Sequence, residues 1–228
     1  MKMKAIVLSS GGVDSTTCLA LAVSERGREN VVAVSVYYGQ KHKKELEAAR
    51  AVAAFFDVPH YELDLSAVFA VSNCPLLAHS TAQIAHKSYA EQLKDGAGVE
   101  TYVPFRNGLF LAAVASFAGG IFPKQDVEIY IGAHADDAAG NAYADCSEAF
   151  ISAMSEAVKI GTYEHITIKA PFVGMNKAAV VAEGLRLGAP YELTWSCYEG
   201  QEKPCGVCGT CRDRAAAFAA NGIADPAL

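Results

Sequence analysis

The sequence predicts an α/β fold: a doubly wound, parallel five-stranded sheet with helices on both faces, followed by a short cysteine-rich segment. Three observations predict it. Apolar, β-branched runs alternate with segments of helical periodicity between residues 5 and 188. The first two runs, Ala5–Ser9 and Val31–Tyr38, are almost continuously apolar, as strands covered on both faces are. Four of the chain's cysteines crowd into residues 197–211, after the last such run.

The elements follow in order. Ala5–Ser9 is a buried strand, and Asp14–Arg26 a helix ended by Gly27. Val31–Tyr38 is the second strand. Lys43–Phe56 is a helix, because Leu46, Ala49, Val52, Ala53 and Phe56 fall on one stripe. Tyr61–Leu65 is a short strand. Residues 66–103, with Asn73-Cys74-Pro75, His79, His86 and the Asp95-Gly96-Ala97-Gly98 run, carry no clear period and read as an excursion over the sheet edge. Gly108–Ala118 is an apolar helix, Val127–Gly132 a strand, Ser147–Ile160 a helix closed by Gly161, Ile166–Ala170 a strand, and Asn176–Leu187 a helix closed by Gly188. Right-handed crossovers bring every strand's C-terminal end to one edge, where doubly wound sheets bind ligands. Ser10–Ser15, Tyr37–Gln40, Gly132–Asp137 and Pro171-Phe172 gather there. The expected division is an α/β domain over 1–194 and the cysteine-rich segment over 195–228 packed on it.

Composition narrows the function classes. At 228 residues and 52% apolar, the chain can bury a substantial core. No run approaches the ~20 apolar residues of a membrane span, and the first residues enter a strand without a signal-peptide pattern. A cytoplasmic protein without a membrane contact is expected. A formal charge of −6 argues against a nucleic-acid surface, which needs clustered Lys and Arg. The cysteines of such a chain are not a disulfide framework. Cys18, Cys74 and Cys146 are scattered and expected in or near the core, with Cys146 beside a predicted site.

Ser10-Gly11-Gly12-Val13-Asp14-Ser15 lies between the first strand and the first helix. Glycines let the backbone approach an anion, and the helix start offers unpaired N–H groups and a favourable dipole. The hydroxyls of Ser10, Ser15 and Thr16 add donors. The spacing and lysine of a Walker A loop are absent. S-G-G-x-D-S resembles the pyrophosphate loop of the PP-loop ATP pyrophosphatases, which split ATP between its α- and β-phosphates.

Cys197-x7-Cys205-x2-Cys208-x2-Cys211 places four thiols in one loop, with Gly206 and Gly209 inside the short gaps. Two-residue gaps suit a knuckle around tetrahedral zinc. A redox Cys-x-x-Cys accounts for two cysteines and not four, and iron–sulfur spacings differ. One structural zinc per chain is expected, with Arg212 and Arg214 offsetting the charge of the centre.

Further segments resemble the 7-cyano-7-deazaguanine synthases within the PP-loop superfamily. Tyr38-Gly39-Gln40-Lys41-His42-x2-Glu45 matches their Y-G-Q-[RK]-H-x2-E, and Val103-Pro104-x-Arg106-Asn107 their V-P-x-R-N. Gly132-x4-Asp137-x2-Gly140 followed by Tyr143-x-Asp145-Cys146 is similar to their G-x4-D-x2-G-Y-P-D-C, with Asn141 and Ala142 inserted and Ala144 in place of proline. Pro171-x5-Lys177, Thr194-Trp195-Ser196-Cys197-Tyr198 and Cys205-Gly206-x-Cys208-x2-Cys211-x2-Arg214 match as well. Val13 stands where many members have glutamine. The likeness runs from about residue 5 to 218.

The resemblance implies the PP-loop (adenine nucleotide alpha hydrolase-like) fold and a reaction of queuosine biosynthesis. In it 7-carboxy-7-deazaguanine and ammonium become a nitrile at the expense of ATP and Mg²⁺, through an adenylated carboxylate and an adenylated amide. It further implies a homodimer. The implied ATP-binding run is Ser9, Ser10, Gly11, Gly12, Val13, Asp14, Ser15, Thr16, Thr17, Cys18 and Leu19. Asp14, Arg106 and Lys177 are the implied catalytic residues, and Gln40, His42, Arg106, Asn107, Asp137 and Asp145 the implied substrate contacts. Asp145 precedes a helix and is equally suited to capping. No glutaminase element is visible, so free ammonia is the expected donor. The alternative within the superfamily is a tRNA-thiolating or nucleobase-aminating enzyme. A thiolase needs sulfur-carrying cysteines and a basic surface, which this acidic chain lacks. A non-catalytic zinc-knuckle module leaves the N-terminal loop unexplained.

Overall fold

A computed structural model of the chain describes residues 3–84, 99–139, 142–199 and 202–227. Its five strands, β1 (Lys4–Leu8), β2 (Val31–Tyr37), β3 (His60–Asp64), β4 (Val127–Tyr130) and β5 (Ile166–Lys169), form one sheet in the order β3-β2-β1-β4-β5. Every pairing is parallel, with Ile6 opposite Val32 on one side and Ile129 on the other. This is the predicted doubly wound sheet. The direction in which successive strands are laid down reverses between β1 and β4, so the loops after these two strands diverge and leave a crevice.

The helices are α1 (Val13–Arg26), α2 (Lys44–Phe55), α3 (Arg106–Ile121), α4 (Glu148–Gly161), α5 (Lys177–Leu187) and α6 (Gly209–Ala220). Period-2 burial distributes β1 between two cores. Ala5 and Val7 meet Cys18, Leu19, Val52 and Val180 on one face, and Ile6 meets Leu111, Val114, Ile151 and Val158 on the other. α1, α2 and α5 therefore cover one face, and α3 and α4 the opposite one.

Local chemistry sets the boundaries. Ser147 and Asn176 cap α4 and α5, accepting from the Phe150 and Ala179 N–H groups at 3.2 and 2.9 Å. α1 and α5 stop at Gly27 and Gly188 as predicted. α4 does not stop before Gly161: it runs through that residue, and the chain reverses at Tyr163 and Glu164, both at positive φ. α3 starts two residues earlier than its apolar run, at Arg106. The described parts of 66–103 do lie over the sheet edge. Leu77 bridges Gln40, the Ala78 N–H donates to Gly39 O at 2.7 Å, and Phe69, Leu76, Leu77 and Val103 pack on Tyr38. His86, the Asp95–Gly98 run, Gly140 and Asn141 lie outside the described residues. Among those described, no helix is long and apolar enough to cross a membrane.

The C-terminal segment holds the main departure from expectation. It contains α6, which buries Cys211, Arg214, Ala217 and Phe218; Ala217 and Phe218 join Val13, Val181 and Tyr191 in a separate core cluster, and Cys211 packs with Cys197 and Cys208. Arg214 does not face the cysteine sulfurs. It makes a buried bidentate pair with Asp225 at 2.7 and 2.8 Å and donates to Thr194 Oγ1 and Tyr191 O, clamping the tail to the domain. Arg212 is exposed.

Candidate active site and metal centre

A cavity of about 1050 Å³ opens at the C-terminal edge of the sheet, over the crevice between β1 and β4. Its base is the loop after β1. Gly11 sits there at φ +78°, in the left-handed region that favours glycine. A Cβ at this position would lie 2.3 Å from Glu45 O and 2.7 Å from Ala49 N, so the loop is pressed against the first turns of α2. The two serines close the loop on itself. Ser10 Oγ and Ser15 Oγ are 3.0 Å apart, Gly12 N–H donates to Ser10 Oγ at 3.3 Å, and the Ser15 hydroxyl donates to Gly12 O at 3.2 Å. The first-turn N–H groups of α1 above this network have no intrahelical acceptor. These hydroxyls and N–H groups give the base of the cavity donors suited to an anion.

Two groups of side chains face the cavity. The first is ionic. Asp14 Oδ2 accepts from Lys177 Nζ and lies 3.7 Å from His134 Nε2, which is 3.4 Å from Asp137 Oδ2. Among the described residues, Asp14 Oδ1 and His134 Nδ1 are buried without a hydrogen-bond partner. A buried oxygen left unmatched is costly unless a ligand completes it. Burial pushes the Asp137 carboxyl up, against the opposing charges of His134 and Lys177. Asp136 Oδ2 accepts from the Lys177 backbone N–H at 2.8 Å, fixing the start of α5 to the turn after β4.

The second group is aromatic and basic. The Arg106 guanidinium lies 5.5 Å from the Tyr38 ring centroid and 5.9 Å from that of Phe110, and has no ion pair among the described residues. Glu45 and Tyr198 line the same part of the cavity. Burial raises the Glu45 carboxyl to about 7, although the Arg106 charge works in the other direction.

The implied site residues divide sharply. Ser9, Ser10, Gly12, Asp14, Ser15, Gln40, Arg106, Asn107, Asp137 and Lys177 line the cavity. Val13, Thr17, Cys18 and Leu19 do not; their side chains are in the core, and Thr17 Oγ1 is 2.7 Å from the Tyr191 hydroxyl. Helical periodicity explains this, since only the first turn of α1 faces the cradle. Gly11 and Thr16 are also absent from the lining, Gly11 because it faces α2. Gln40 lines the wall, but its Oε1 accepts from Tyr38 N–H at 2.8 Å, holding the turn. His42 lies outside the lining. Asp145 is buried outside it and accepts from Asn107 N–H at 2.9 Å, so it caps α3 and not the helix that follows it. Cys146 accepts from Asn107 Nδ2 at 3.2 Å, and burial pushes its thiol up, away from nucleophilic character.

His134, Glu45 and Asp213 are lining residues that sequence reasoning gave no role. The first two lie inside segments already singled out; Asp213 required knowing α6. The tail is part of the wall as well. Trp195 N–H donates to Gly11 O at 2.8 Å, and Trp195, Ser196, Tyr198, Thr210 and Asp213 line the cavity.

Behind this wall the Cys197, Cys205, Cys208 and Cys211 sulfurs lie within 4.8 Å of one another, and none is in a disulfide. A tetrahedral ion with metal–sulfur bonds of about 2.3 Å needs sulfur separations of about 3.8 Å, so a small contraction completes the site. Gly206, at φ +72°, makes the turn between Cys205 and Cys208. The Cys205 N–H donates to Cys197 Sγ at 3.2 Å and the Cys208 N–H to Cys205 Sγ at 3.3 Å. Such donors stabilise thiolates as ligands. A hydrogen bond from Cys211 draws the Cys208 thiol well down, one sulfur already biased toward the ligand form. Thr210 Oγ1 connects the two sites, 3.3 Å from Cys208 Sγ and donating to Ser196 O at 2.8 Å.

The chain is similar to known proteins over nearly its whole length. The sequence model of the family described as queuosine biosynthesis protein QueC matches residues 4–222. The 7-cyano-7-deazaguanine synthase of Archaeoglobus fulgidus is 40% identical over 227 residues, covering 99% of this chain and 90% of the relative. The protein of the same name from Caldicellulosiruptor saccharolyticus is 38% identical over 224 residues, covering 98% and 94%. Among solved structures, an NMN synthetase from Francisella tularensis superposes with a TM-score of 0.51 at 12% identity, over 97% of this chain and 78% of that one. The last likeness concerns the fold alone.

Proposed function

This chain belongs to the family of queuosine biosynthesis protein QueC, and from that premise we propose how its cavity works as an ATP-dependent ligase. It converts 7-carboxy-7-deazaguanine and ammonia to 7-cyano-7-deazaguanine. The observation that carries this reading is the placement of a closed Ser-Gly-Gly loop, an Asp14 oxygen unmatched among the described residues and an Arg106 with no ion pair among them around one cavity.

A carboxylate resists ammonia because oxide is a poor leaving group. Arg106 holds the substrate carboxylate, with Tyr38 and Phe110 beneath the guanidinium restricting its swing. One carboxylate oxygen attacks the α-phosphorus, and the bond to the β-phosphate oxygen breaks. Ser10, Gly12, Ser15 and the first-turn N–H groups of α1 receive the departing pyrophosphate. Lys177, held by Asp14, balances its charge. Mg²⁺ bound with ATP would neutralise developing phosphate charge, and Asp14, with its free Oδ1, is the residue fitted to hold it, directly or through water. Ammonia then displaces AMP to give the amide. A second activation, now of the amide oxygen, allows loss of that oxygen and leaves C≡N. Asp137 is the proposed acceptor for the purine-like ring. Asp145 acts through Asn107 by fixing the start of α3.

The cysteine cluster takes zinc. It holds the segment from Trp195 onward as one wall of the ATP-binding domain.

Incubating the protein with ATP, Mg²⁺, ammonium and 7-carboxy-7-deazaguanine should give a product with the mass of the nitrile, dependent on each component. A product that stops at the amide, or no product with ammonium, would overturn the reading.

A further inference from the structure

Glu45 is an acidic side chain in an unusual setting. It is half-buried on the first turn of α2 and lines the cavity, and among the described residues it makes no hydrogen bond or ion pair. Glu47, in the same first turn, is exposed and suffices to complement the helix dipole. Burial of a carboxyl without a hydrogen-bond partner is unfavourable, and the Arg106 charge facing it from α3 offsets only part of that cost.

Its position is specific. The Glu45 backbone oxygen is the group against which Gly11 of the phosphate loop is pressed, so the residue adjoins the pyrophosphate cradle. Arg106, the residue we assign to the substrate carboxylate, is the charged group facing it from α3. The acyl-phosphate junction forms between those two anchors. The other titratable neighbours are the Tyr38 hydroxyl, which feels the Glu45 charge, and Lys44 on the same helix, whose ammonium is 4.8 Å from the Trp195 ring centroid.

We propose that Glu45 binds the incoming ammonium ion and accepts the proton it must lose to become the nucleophile. This deepens the function proposed above and rests on it. Ammonium donates one N–H to the ionised carboxylate, and the proton passes to a Glu45 oxygen. The freed nitrogen lone pair forms the C–N bond, and the bond from the acyl carbon to the AMP oxygen breaks with its electron pair leaving on AMP. The second proton shed by nitrogen as the amide forms goes to solvent. Burial at about 7 suits the carboxyl to receive a proton near neutral pH and pass it on.

The test separates the two half-reactions. Acid-dependent exchange of pyrophosphate into ATP reports adenylation without ammonia. Glu45→Gln should keep that exchange within a few-fold of wild type while ammonium-dependent turnover falls by about 10²-fold. Hydroxylamine is largely unprotonated at neutral pH and should restore turnover of the variant. In the wild type, the rate per total ammonium should rise to about pH 7 and then level, because ammonium itself is the substrate. In Glu45→Gln it should keep climbing about tenfold per pH unit with the free-ammonia fraction. Glu45→Asp should recover part of the rate and the plateau. Loss of exchange in Glu45→Gln, unchanged ammonium turnover, or a wild-type rate that follows free ammonia past pH 7 would each overturn the assignment. The wild-type profile decides even if the glutamine variant does not fold. Absence of exchange in the wild type would overturn adenylation itself, and the assignment with it.

Discussion

Replacing Asp14 by alanine should lower ATP turnover by about 10²–10³-fold, the scale of losing one preorganised electrostatic group at a reacting phosphate. One change removes two functions. Lys177 loses the carboxylate that aims its ammonium, and the free Oδ1 that we assign to the metal disappears. The fold should stand. Asp14 lies on the cavity side of α1, whereas the core contacts of this helix come from Val13, Cys18 and Leu19. Pyrophosphate release measured beside a thermal melt checks both halves. A variant with the native melt and native turnover would remove Asp14 from the site. Asp14→Asn should lose nearly as much, because the charge and not only the shape holds Lys177.

Replacing Cys208 by serine should produce the largest loss of stability. Metal binding and local folding are coupled in structural thiolate sites, with apparent binding free energies of about 10–16 kcal/mol. Here the coupling extends beyond the knuckle, because α6 begins immediately after Cys208. If α6 loosens, Phe218 leaves the cluster it shares with Val13, Val181 and Tyr191. Its burial alone is worth about 2–3 kcal/mol, or roughly 4–12 °C in Tm at about 2–4 °C per kcal/mol for a chain of this size. The Arg214–Asp225 pair would be exposed as well. Activity should fall with stability, since Trp195 and Ser196 wall the cavity and Trp195 is hydrogen-bonded to Gly11. Metal analysis should find one zinc per wild-type chain and little in the variant. A metal-free preparation that melts where the wild type does would contradict a structural role.

The sheet and its main helices were legible because they rest on local rules: apolar runs too continuous for a one-sided sheet, stripes at helical spacing, and Ser147, Asn176, Gly27 and Gly188 at their ends. The crevice followed from topology. The loop and the knuckle were legible because both are contiguous in sequence, so spacing alone specifies them. What was not legible depended on contacts between distant segments. α6 was hidden because its cysteines and arginines drew attention as ligands and charges, although Ala215–Ala220 is an alanine-rich helix former. Arg214 was taken for a partner of the metal centre, but Asp225, a turn beyond the helix, claims it. The resemblance implies Asp145 as a substrate contact, and its position equally suits capping of the helix after it, but its carboxylate caps a helix that begins 39 residues earlier in the chain. Glu45 lies in a segment that matches the family, but only the fold reveals that it has no hydrogen-bond or ion-pair partner among the described residues and that it adjoins both Gly11 and Arg106.

The most direct measurement follows the oxygen that adenylation must transfer. With ¹⁸O in the carboxylate of 7-carboxy-7-deazaguanine, activation at the α-phosphorus places label in AMP, and the β- and γ-phosphates leave together as unlabelled pyrophosphate. Because the nitrile needs two activations, AMP should form twice per product, each time carrying one labelled oxygen. Under limiting ATP the amide should accumulate and then be consumed. ADP as the nucleotide product, or label arriving in inorganic phosphate, would contradict adenylation even if the nitrile were made.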